Sequence, residues 1–424
     1  MKIAVIGSGI SGLAAAYLLD RVHHVTLFEK NDYLGGHTRT VTVRPDGANA
    51  DIPVDTGFIV FNYRNYPLLA QLFAELGVPV QKSDMSFGLT VDDGWLEYGT
   101  PKPWNIFAQK RNVLRPAYWR MMGDVLKFFR EAPGYVDRGT DVTLAQCLDE
   151  LKMGDWFRRF FLMPMGSAIW SCPAETMLAF PAATFVRFFK NHGLLSLNDQ
   201  PQWYTVTGGS HEYVRRLTGA FSGRIVRSGA ARVERSDRVA GGNCFVTAED
   251  GARYAFDQVV LACHADQALA LLENPTTAER DILSAFGFQR NRTVLHGDTS
   301  FMPRRRAAWS SWTYLMEHHD RAAPDITMNY WMNRLQSLDR GFPLIETLNP
   351  VRPLDPELVY DTFEFEHPVF DSAAVSAQER IPDIQGGRNT WFCGAWQRNG
   401  FHEDGLWSAV RVASGLGVSP DWTV

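Results

Sequence analysis

Apolar positions at the start of the chain follow two different spacings in turn. Residues 3–6 form a short continuous apolar run, which is typical of a buried strand, and residues 13–19 carry Ala and Leu at the density of a helix. Residues 25–28 form a second apolar run of strand type. The pattern therefore predicts a strand, a helix and a second strand at the beginning of the chain.

Farther along, helical and strand patterns are mixed. Residues 65–76 and 144–165 have apolar faces at helical spacing, whereas residues 80–98 alternate and contain an Asp-Asp-Gly turn sequence. Because 424 residues exceed what one hydrophobic core holds, we predict two intertwined domains. Further strands are predicted at residues 224–233, 243–247, 253–256, 258–263, 293–298, 308–314 and 326–331.

Glycines separate the first predicted strand from the first helix at the spacing G-x-G-x-x-G. Gly7 permits a tight turn, Gly9 lets the backbone approach a pyrophosphate, and Gly12 lets the helix pack close to the strand. Ile10 and Ser11 begin a helix whose free N–H groups and positive dipole end favour phosphate.

An acidic residue ends the second predicted strand. Glu29 lies 20 residues beyond Gly9, where it can accept hydrogen bonds from a ribose hydroxyl, and its charge disfavours a 2′-phosphate. Lys30 follows it. The strand, the glycines, the helix and the acid together predict a ligand that contains ADP.

Two further segments indicate which dinucleotide to expect. Residues 35–39 read Gly-Gly-His-Thr-Arg, and residues 55–59 read Asp-Thr-Gly-Phe-Ile. With the first motif they resemble the flavoprotein superfamily of monoamine oxidases, protoporphyrinogen oxidases and phytoene desaturases, which follows its ribose-binding acid with Gly-Gly-Arg and then Asp-x-Gly. The resemblance implies FAD, with the glycine pair near the pyrophosphate. His37 stands where the family usually has Arg, so either His37 or Arg39 supplies that donor.

The end of the chain is similar to the second flavin signature of the same superfamily. In relatives, a Glu-Gly-Ala helix start points its N–H groups at the flavin. Here Asp404-Gly405-Leu406 occupies that place, and Ala395 replaces the usual acid. A middle strand of the family sets a small residue against adenine, for which Ala230 is our first choice and Ala231 the second. Beyond the first motif, the FAD contacts that the resemblance implies are Gly35, Gly36, His37, Thr38, Arg39, Thr56, Gly57, Phe58, Ile59, Ala230, Gly394, Ala395, Asp404, Gly405 and Leu406.

Departures from the superfamily pattern change the expected reaction. The amine oxidases of the superfamily carry a Lys on a strand of the substrate domain, and this Lys is hydrogen-bonded through water to flavin N5. The strand of this chain that corresponds to it, residues 292–296, contains no Lys. The cage tyrosine of those enzymes is replaced by His402 or its neighbours. Residues 296–306 and 400–405 instead resemble the flavoprotein domain fused to plant cyclopropane fatty acid synthases and its stand-alone bacterial counterparts. That resemblance implies a long acyl chain, within a phospholipid, as the substrate.

Three functions are open at this point. The first is an FAD-dependent desaturase or dehydrogenase, in which flavin N5 takes a hydride from the acyl chain and a side-chain base takes the adjacent proton. The second is an oxidase of an amine or another polar small molecule. The third is a non-catalytic, flavin-bearing partner of a lipid methyltransferase.

Three residues are candidates for the base of the first function. His402 is the first choice, because an imidazole titrates near neutral pH and this one directly precedes the predicted flavin contact. Glu403 would orient His402 or replace it, and His296 is the reserve. Alternatively, His402 only caps the last helix or packs beside the ring.

One segment has an unusual charge. Residues 101–131 hold seven Lys or Arg against two acids, although the whole chain has a net charge of −5. Aromatic side chains, Met and Leu are interleaved with these cations. One interpretation is a pair of core-packed helices with a solvated basic face, and the other is an interfacial helix pair on an anionic membrane.

Charge and cysteine content bear on the remaining classes. The net charge of −5 predicts no general affinity for nucleic acid. The cysteines have no metal-binding spacing, so we expect no metal site and reduced core thiols. No leader peptide or spanning helix is expected, which predicts a cytoplasmic protein that touches the inner face of the membrane only if residues 101–131 are interfacial. The five cysteines are Cys147, Cys172, Cys244, Cys263 and Cys393.

The predicted fold class is α/β. A Rossmann-like FAD-binding domain of the GR2 or amine-oxidase type is expected to comprise residues 1–62, 203–270 and 381–424. An interleaved α+β substrate domain would comprise residues 63–202 and 271–380. The FAD is expected to be held non-covalently.

Overall fold

The computed structural model of the chain describes residues 1–137, 142–170, 177–191, 193–196, 200–235, 244–321 and 324–422, so the thiol predicted at Cys172 lies outside the described residues. The helices are α1 (Ile10–Leu19), α2 (Pro67–Glu75), α3 (Pro116–Glu131), α4 (Leu144–Glu150), α5 (Asp155–Phe157), α6 (Met163–Trp170), α7 (Ala182–Asn191), α8 (His211–Ala220), α9 (Ala265–Leu271), α10 (Thr277–Leu283), α11 (Met332–Leu335), α12 (Ser372–Arg380) and α13 (His402–Gly415). The strands are β1 (Lys2–Ile6), β2 (His24–Phe28), β3 (Thr40–Val43), β4 (Ile52–Asp55), β5 (Val80–Ser83), β6 (Phe87–Val91), β7 (Leu96–Gly99), β8 (Trp203–Val206), β9 (Arg224–Val226), β10 (Ala230–Arg235), β11 (Cys244–Ala248), β12 (Arg253–Phe256), β13 (Gln258–Leu261), β14 (Gly287–His296), β15 (Trp312–Glu317), β16 (Asp325–Trp331), β17 (Ile345–Leu348), β18 (Val359–Val369) and β19 (Thr390–Phe392).

A five-stranded parallel sheet contains the predicted strand–helix–strand unit. Its order is β19-β13-β1-β2-β9, and every neighbouring pair is parallel. Ile3 and Val5 of β1 pack with α1 and α13, whereas Ala4 and Ile6 pack with β10 and β11 on the other face. Because both faces are covered, β1 is apolar throughout rather than alternating. The predicted α/β, Rossmann-like class is confirmed.

The strand meander predicted between residues 224 and 256 is divided between two sheets. β9 is the edge strand of the parallel sheet, where Val226 pairs with Phe28 of β2. β10, β11 and β12 form a separate antiparallel sheet that covers one face of the first.

A seven-stranded mixed sheet forms the second layer, as the strand patterns after residue 290 predicted. Its order is β18-β14-β17-β16-β15-β6-β7, with β15 and β6 parallel and the other pairs antiparallel. Directly paired residues share a face of a sheet. One such row crosses six strands, and we call the face that carries it the inner face. The row consists of Asp361, Leu295, Glu346, Tyr330, Trp312 and Phe87.

Helices α3 to α7 cover part of the inner face. Tyr118 and Phe128 of α3 and Phe189 of α7 belong to the same hydrophobic cluster as Leu295 and Tyr330 of the sheet. None of the helices within the described ranges combines the length and apolar character that a membrane span needs.

The segment 101–131 does not form the expected pair of helices. Two short 3₁₀ turns, Pro103–Phe107 and Lys110–Leu114, precede the single helix α3. Pro at residues 101, 103 and 116 explains this, since Pro is tolerated only in the first turn of a helix.

The predicted domain boundaries remain a prediction. Most of the seven-stranded sheet and helices α3 to α7 share one core cluster. Ile282 of α10 and Ala374 of α12, which lie inside the predicted substrate range, pack instead with Val259 and Leu261 of the parallel sheet.

Candidate active site

The glycine loop after β1 has the geometry that its sequence predicts. Gly7 has φ of +101°, and a Cβ there would lie 2.9 Å from the carbonyl oxygen of Ala262. A Cβ on Gly12 would lie 1.8 Å from the carbonyl oxygen of Gly7, so only glycine lets α1 come this close to the loop. A Cβ added to Gly9 would have no atom within 4 Å, so the space that a pyrophosphate would need is open there.

Glu29 is buried beside this loop. Its Oε2 accepts hydrogen bonds from the Ser8 backbone N–H at 2.8 Å and the Ser8 hydroxyl at 2.5 Å, and its Oε1 accepts from Asn31 N–H at 2.8 Å. Each carboxylate oxygen has about two acceptor sites, so Oε1 retains one for a ribose hydroxyl. Lys30, next in the chain, is exposed, and Ala230 pairs with Ala248 at the start of β10.

The second glycine pair lies against the first loop. Gly35 N–H donates to the Ser8 carbonyl at 3.0 Å, and Gly35 also forms an isolated bridge with Gly9. A Cβ on Gly36 would lie 3.0 Å from the Cα of Gly9. The two segments thus form one glycine-lined surface, which suits a pyrophosphate.

His37 and Arg39 have distinct surroundings. The His37 ring stacks on Phe365 with centroids 4.5 Å apart, and burial holds the pKa of His37 well below its usual value. Arg39 Nη1 donates to Asp361 Oδ2 at 2.6 Å, and its guanidinium lies 4.6 Å from the Phe363 ring centroid. Arg39 is therefore the cation that connects this segment to the inner face, while His37 is neutral.

Residues 55–59 pack between the glycine segments and the seven-stranded sheet. Phe58 N–H donates to the His37 carbonyl at 2.9 Å, and a Cβ on Gly57 would lie only 2.1 Å from that carbonyl oxygen. Thr56 N–H donates to the Arg39 carbonyl at 2.8 Å, and Ile59 is buried. The Asp-Thr-Gly pattern thus reflects a close backbone approach.

The N-terminus of α13 lies beside that of α1. A Cβ on Gly405 would come within 2.8 Å of both Ile10 Cγ2 and Ser11 Oγ, so the two helix starts are in direct contact. Asp404 Oδ2 accepts the Phe401 N–H at 3.0 Å, and Leu406 lies in the core. Two adjacent helix N-termini concentrate positive potential where an anionic cofactor would bind.

The strand end before α13 also lies at this site. Gly394 follows β19, and its N–H donates to Ser408 Oγ of α13 at 2.9 Å. Ala395 faces Gly405, since a Cβ on that glycine would lie 3.7 Å from the Ala395 Cβ. The two parts of the C-terminal signature are thus in contact, as the resemblance implies.

Glu403 caps another helix, and its predicted roles, to orient the His402 ring or to replace it as the base, stay predictions. Its Oε1 and Oε2 accept the N–H groups of Leu68 and Leu69, at 2.9 and 3.0 Å, in the first turn of α2. Burial raises the pKa of Glu403 to about 7, against the lowering effect of these two bonds. Each oxygen accepts one backbone N–H of α2, and these two bonds hold the carboxyl against that helix, which favours a structural role.

His402 has the surroundings of the structural alternative. Its ring stacks on Phe58 with centroids 3.8 Å apart, and its Nε2 lies 2.9 Å from Thr38 Oγ1 and 3.2 Å from the Tyr213 hydroxyl. Burial lowers the pKa of His402 to about 3, so the ring is a weak base. Its catalytic role stays a prediction, and the contacts favour packing. Tyr213, which also bonds Thr38, was not foreseen because nothing in its helical pattern marks it.

His296 is fully buried with both ring nitrogens occupied. The Asp298 N–H donates to its Nδ1 at 3.1 Å, so Nε2 carries the proton and donates to Thr347 Oγ1 at 2.5 Å. Thr347 in turn donates to Asn329 Oδ1 at 2.6 Å. Burial lowers the pKa of His296 to about 4. Its side chain lies on the sheet face opposite to the inner face, which argues against the reserve role as base.

The parallel sheet, the glycine segments and the paired helix starts define a dinucleotide-binding flavoprotein. A family model for flavin containing amine oxidoreductase matches residues 10–290, and the chain belongs to this family. It is 26% identical over 262 residues to "Putative flavin-containing monoamine oxidase AofH" of Mycobacterium tuberculosis, covering 59% of this chain and 54% of that protein. The chain thus spans about half the length of that relative.

Solved structures share the fold over nearly the whole chain. "Putative protoporphyrinogen oxidase" from Exiguobacterium sp. 255-15 superimposes with a TM-score of 0.68 at 16% identity, covering 98% of each chain. The CLA-producing fatty acid isomerase from P. acnes superimposes with a TM-score of 0.66 at 17% identity, covering 97% of this chain and 98% of that one. At such identities the likeness concerns the fold alone.

Proposed function

We propose that the protein is an FAD-dependent oxidoreductase that dehydrogenates a long acyl chain carried by a membrane phospholipid. The observation that carries this proposal is the surface of residues 101–131. Leu114 is 84% exposed and Trp104 66% exposed, and Val113, Trp119 and Leu126 are also exposed. Apolar side chains so exposed on a basic segment are typical of a membrane-surface contact.

Five of the seven cations of this segment fall into two groups. Arg111 donates to the Gly94 carbonyl at 3.0 Å and Arg115 to the Trp95 carbonyl at 2.9 Å, so these two hold the turn between β6 and β7. Lys102, Lys110 and Arg120 are exposed beside the apolar residues. We assign the membrane contact to the second group.

The same helix connects the surface with the inner face. Trp119 and Leu126 of α3 point outward, while Tyr118 and Phe128 enter the core cluster that contains Tyr330 of the inner face. An acyl chain that enters beside α3 would therefore meet the apolar side chains of this cluster before it reaches the sheet.

FAD is the flavin that the residues fit best. Glu29 and the N-terminus of α1 are placed for an ADP ribose and a pyrophosphate, which FMN lacks. Cys263 follows β13 at the edge of the site, and burial raises its pKa to about 12, which disfavours the thiolate that a covalent flavin link would need. Cys244, Cys263 and Cys393 are free thiols. Bound FAD would supply the two-electron acceptor, while this chain positions the substrate and takes its proton.

Flavin reduction under anaerobic conditions tests the reaction. Phospholipid vesicles are expected to bleach the flavin absorbance of the purified protein, and mass spectrometry should find acyl chains lighter by two hydrogens. Failure of every lipid to reduce the flavin would overturn the proposal and favour the non-catalytic partner of a lipid methyltransferase.

Charge reversal tests the membrane contact. Each Lys or Arg near an anionic surface contributes about 1 kcal/mol, so replacing Lys102, Lys110 and Arg120 by Glu should weaken vesicle binding on the order of 100-fold. The control carries the same charge change on exposed cations of α10, α12 and α13, through Arg280→Glu, Arg380→Glu and Arg411→Glu. Equal loss of sedimentation with vesicles in both variants would indicate a general charge effect and contradict the assigned surface.

Amine oxidation is the second candidate, and one observation favours it. Trp312 and Tyr330 meet edge to face on the inner face, with centroids 5.1 Å apart, and aromatic faces can bind a cation. The absence of Lys from β14 argues against amine oxidation. Reduction of the flavin by simple amines, with no reduction by lipids, would select this candidate.

A further inference from the structure

Buried polar atoms without a hydrogen-bond partner gather on the inner face. Within the described part of the chain, Thr293 Oγ1, Glu346 Oε2 and Trp312 Nε1 have no partner. Thr293 lies two residues before Leu295, so its side chain shares the face of the row that contains the other two. Buried polar groups are nearly always bonded, so three such atoms on one face indicate a ligand that would complete them.

Glu346 is the one acid in this group. It is 4% exposed and lies in the centre of the row, paired with Leu295 on one side and Tyr330 on the other. The charged groups that shift its pKa are Asp55 and Arg39, which belong to the segments 55–59 and 35–39 of the predicted FAD site. Asp361, farther along the row, is paired with Arg39.

The protonation of Glu346 follows from this position. Burial, and then the charge of Asp55, hold the pKa of Glu346 well above the usual value, and Arg39 offsets this in part. The raised pKa increases the protonated fraction of this carboxyl, and it makes the ionised form a stronger base than an exposed carboxylate.

The three residues predicted from the sequence as bases are held by more hydrogen bonds or ring contacts than Glu346 Oε2. Glu403 has both oxygens on α2, His296 has both nitrogens bonded, and His402 is stacked and bonded through Nε2. Glu346 has a buried oxygen with no assigned bond, on the face that meets the flavin segments.

We propose that Glu346 is the catalytic base of the acyl site and takes the proton that leaves the substrate. This inference rests on the proposed function. Two C–H bonds of adjacent carbons break. Bound FAD would accept the hydride with its electron pair, and the proton of the adjacent carbon would pass to the ionised carboxylate of Glu346, after that carboxyl has released its own proton to solvent. The electrons of the second C–H bond form the C=C bond. Tyr330 and Trp312, next in the row, would hold the acyl chain against the carboxyl.

The test compares Glu346→Gln with a matched buried acid, Glu97→Gln. The amide has the shape of the neutral carboxyl, so Glu346→Gln should fold and retain its flavin. Glu97 is fully buried in the same sheet but on the opposite face, where Thr90 pairs with it and Arg304 N–H and Arg305 Nη1 each donate to it at 2.7 Å.

The first measurement needs no substrate. Infrared spectra are recorded over a pH series, and variants are compared because burial also raises the pKa of Glu403 to about 7 and that of Asp404 to about 6. In wild type and in Glu97→Gln, a carbonyl band of a protonated carboxyl should persist above the pH range in which an exposed glutamate ionises, and this band should be absent from Glu346→Gln. If the spectra of wild type and Glu346→Gln contain the same titrating carboxyl bands, Glu346 is not a buried acid of raised pKa and the assignment is overturned.

The second measurement is anaerobic flavin reduction by phospholipid vesicles. Glu346→Gln should be slower by about 10²–10⁴-fold, the range of a general base, and should lose the rise of rate with pH, while Glu97→Gln stays near wild type. Equal rates in wild type and Glu346→Gln would remove only the role of Glu346. If no lipid reduces the wild-type flavin, the proposed function fails, and the role of Glu346 fails with it.

Discussion

The buried histidine on β14 permits a quantitative test of whether it is structural. We predict that His296→Gln lowers the free energy of unfolding at about pH 7.5 by about 1–3 kcal/mol, because the bonds to Thr347 and from Asp298 N–H are lost or distorted. This difference in the free energy of unfolding should become smaller at acid pH, because keeping the buried histidine neutral there destabilises the wild type but not the variant.

The sign and size of the pH effect follow from the lowered pKa. His296 titrates near 6.5 in the unfolded chain and at about 4 in the folded protein. As pH falls through this window, protons bind the unfolded chain preferentially, so wild-type stability is lost. The full difference is about 3.4 kcal/mol, of which about 2 kcal/mol is reached at pH 5. Gln does not titrate, so the difference between wild type and variant in the free energy of unfolding should change by about 2 kcal/mol, in favour of the variant, between pH 7.5 and pH 5.

Urea unfolding followed by tryptophan fluorescence, in the presence of a fixed excess of FAD, measures this difference. Thr347→Val is the control, because it removes the hydroxyl partner but keeps the histidine, and its loss of stability should be similar at both pH values. If His296→Gln loses the same free energy of unfolding relative to wild type at pH 7.5 and at pH 5, the buried, neutral state of His296 is refuted. It would also restore His296 as a candidate base.

Further predictions concern the cofactor and the caps. Gly9→Val should fold but lose its flavin, because a side chain would occupy the open space beside Gly9; a yellow variant after gel filtration would contradict this. Glu29→Ala should weaken FAD binding in a fluorescence titration by about 1.5–3 kcal/mol, and unchanged affinity would remove the ribose contact. Glu403→Ala should lower the free energy of unfolding by about 2 kcal/mol, since α2 loses two bonds at its N-terminus. A large loss of flavin-reduction rate at unchanged stability would instead support a catalytic Glu403.

The cofactor segments could be predicted because each of their requirements is local. The spacing of Gly7, Gly9 and Gly12 encodes a turn, an open approach and a close packing, and all three are present in the fold. The contact between Gly405 and the start of α1 joins residues nearly 400 positions apart, yet each helix start carries its own signature.

Side-chain direction at the end of the chain could not be predicted in the same way. His402 and Glu403 are adjacent, but one turns to Phe58 and Thr38 and the other reaches the first turn of α2. Proximity in sequence to a flavin signature therefore does not indicate which side chain faces the substrate.

Glu346 shows the converse case. In the sequence Ile-Glu-Thr-Leu, an isolated glutamate is typical of the solvent face of a strand. The pairing of β17 between β14 and β16, with helices and flavin segments over the inner face, buries it. Such burial depends on contacts distant in sequence, and a single sequence does not reveal them.

Polar links hold the inner face and the flavin segments in a fixed relation. Asp55 accepts bonds from Thr40 Oγ1 at 2.6 Å, Ser210 N–H at 2.7 Å and Gln336 Nε2 at 2.9 Å, and Arg39 reaches Asp361 at 2.6 Å. Gln336 and Asp361 belong to the side of the substrate sheet, whereas Thr40 and Arg39 adjoin the glycine pair. Removing a hydride and a proton from adjacent carbons requires both acceptors at fixed positions, and directional bonds fix such positions better than apolar packing does. Asp55 is buried and the Arg39–Asp361 pair is partly exposed, and together these groups would provide the fixed geometry that the proposed reaction needs.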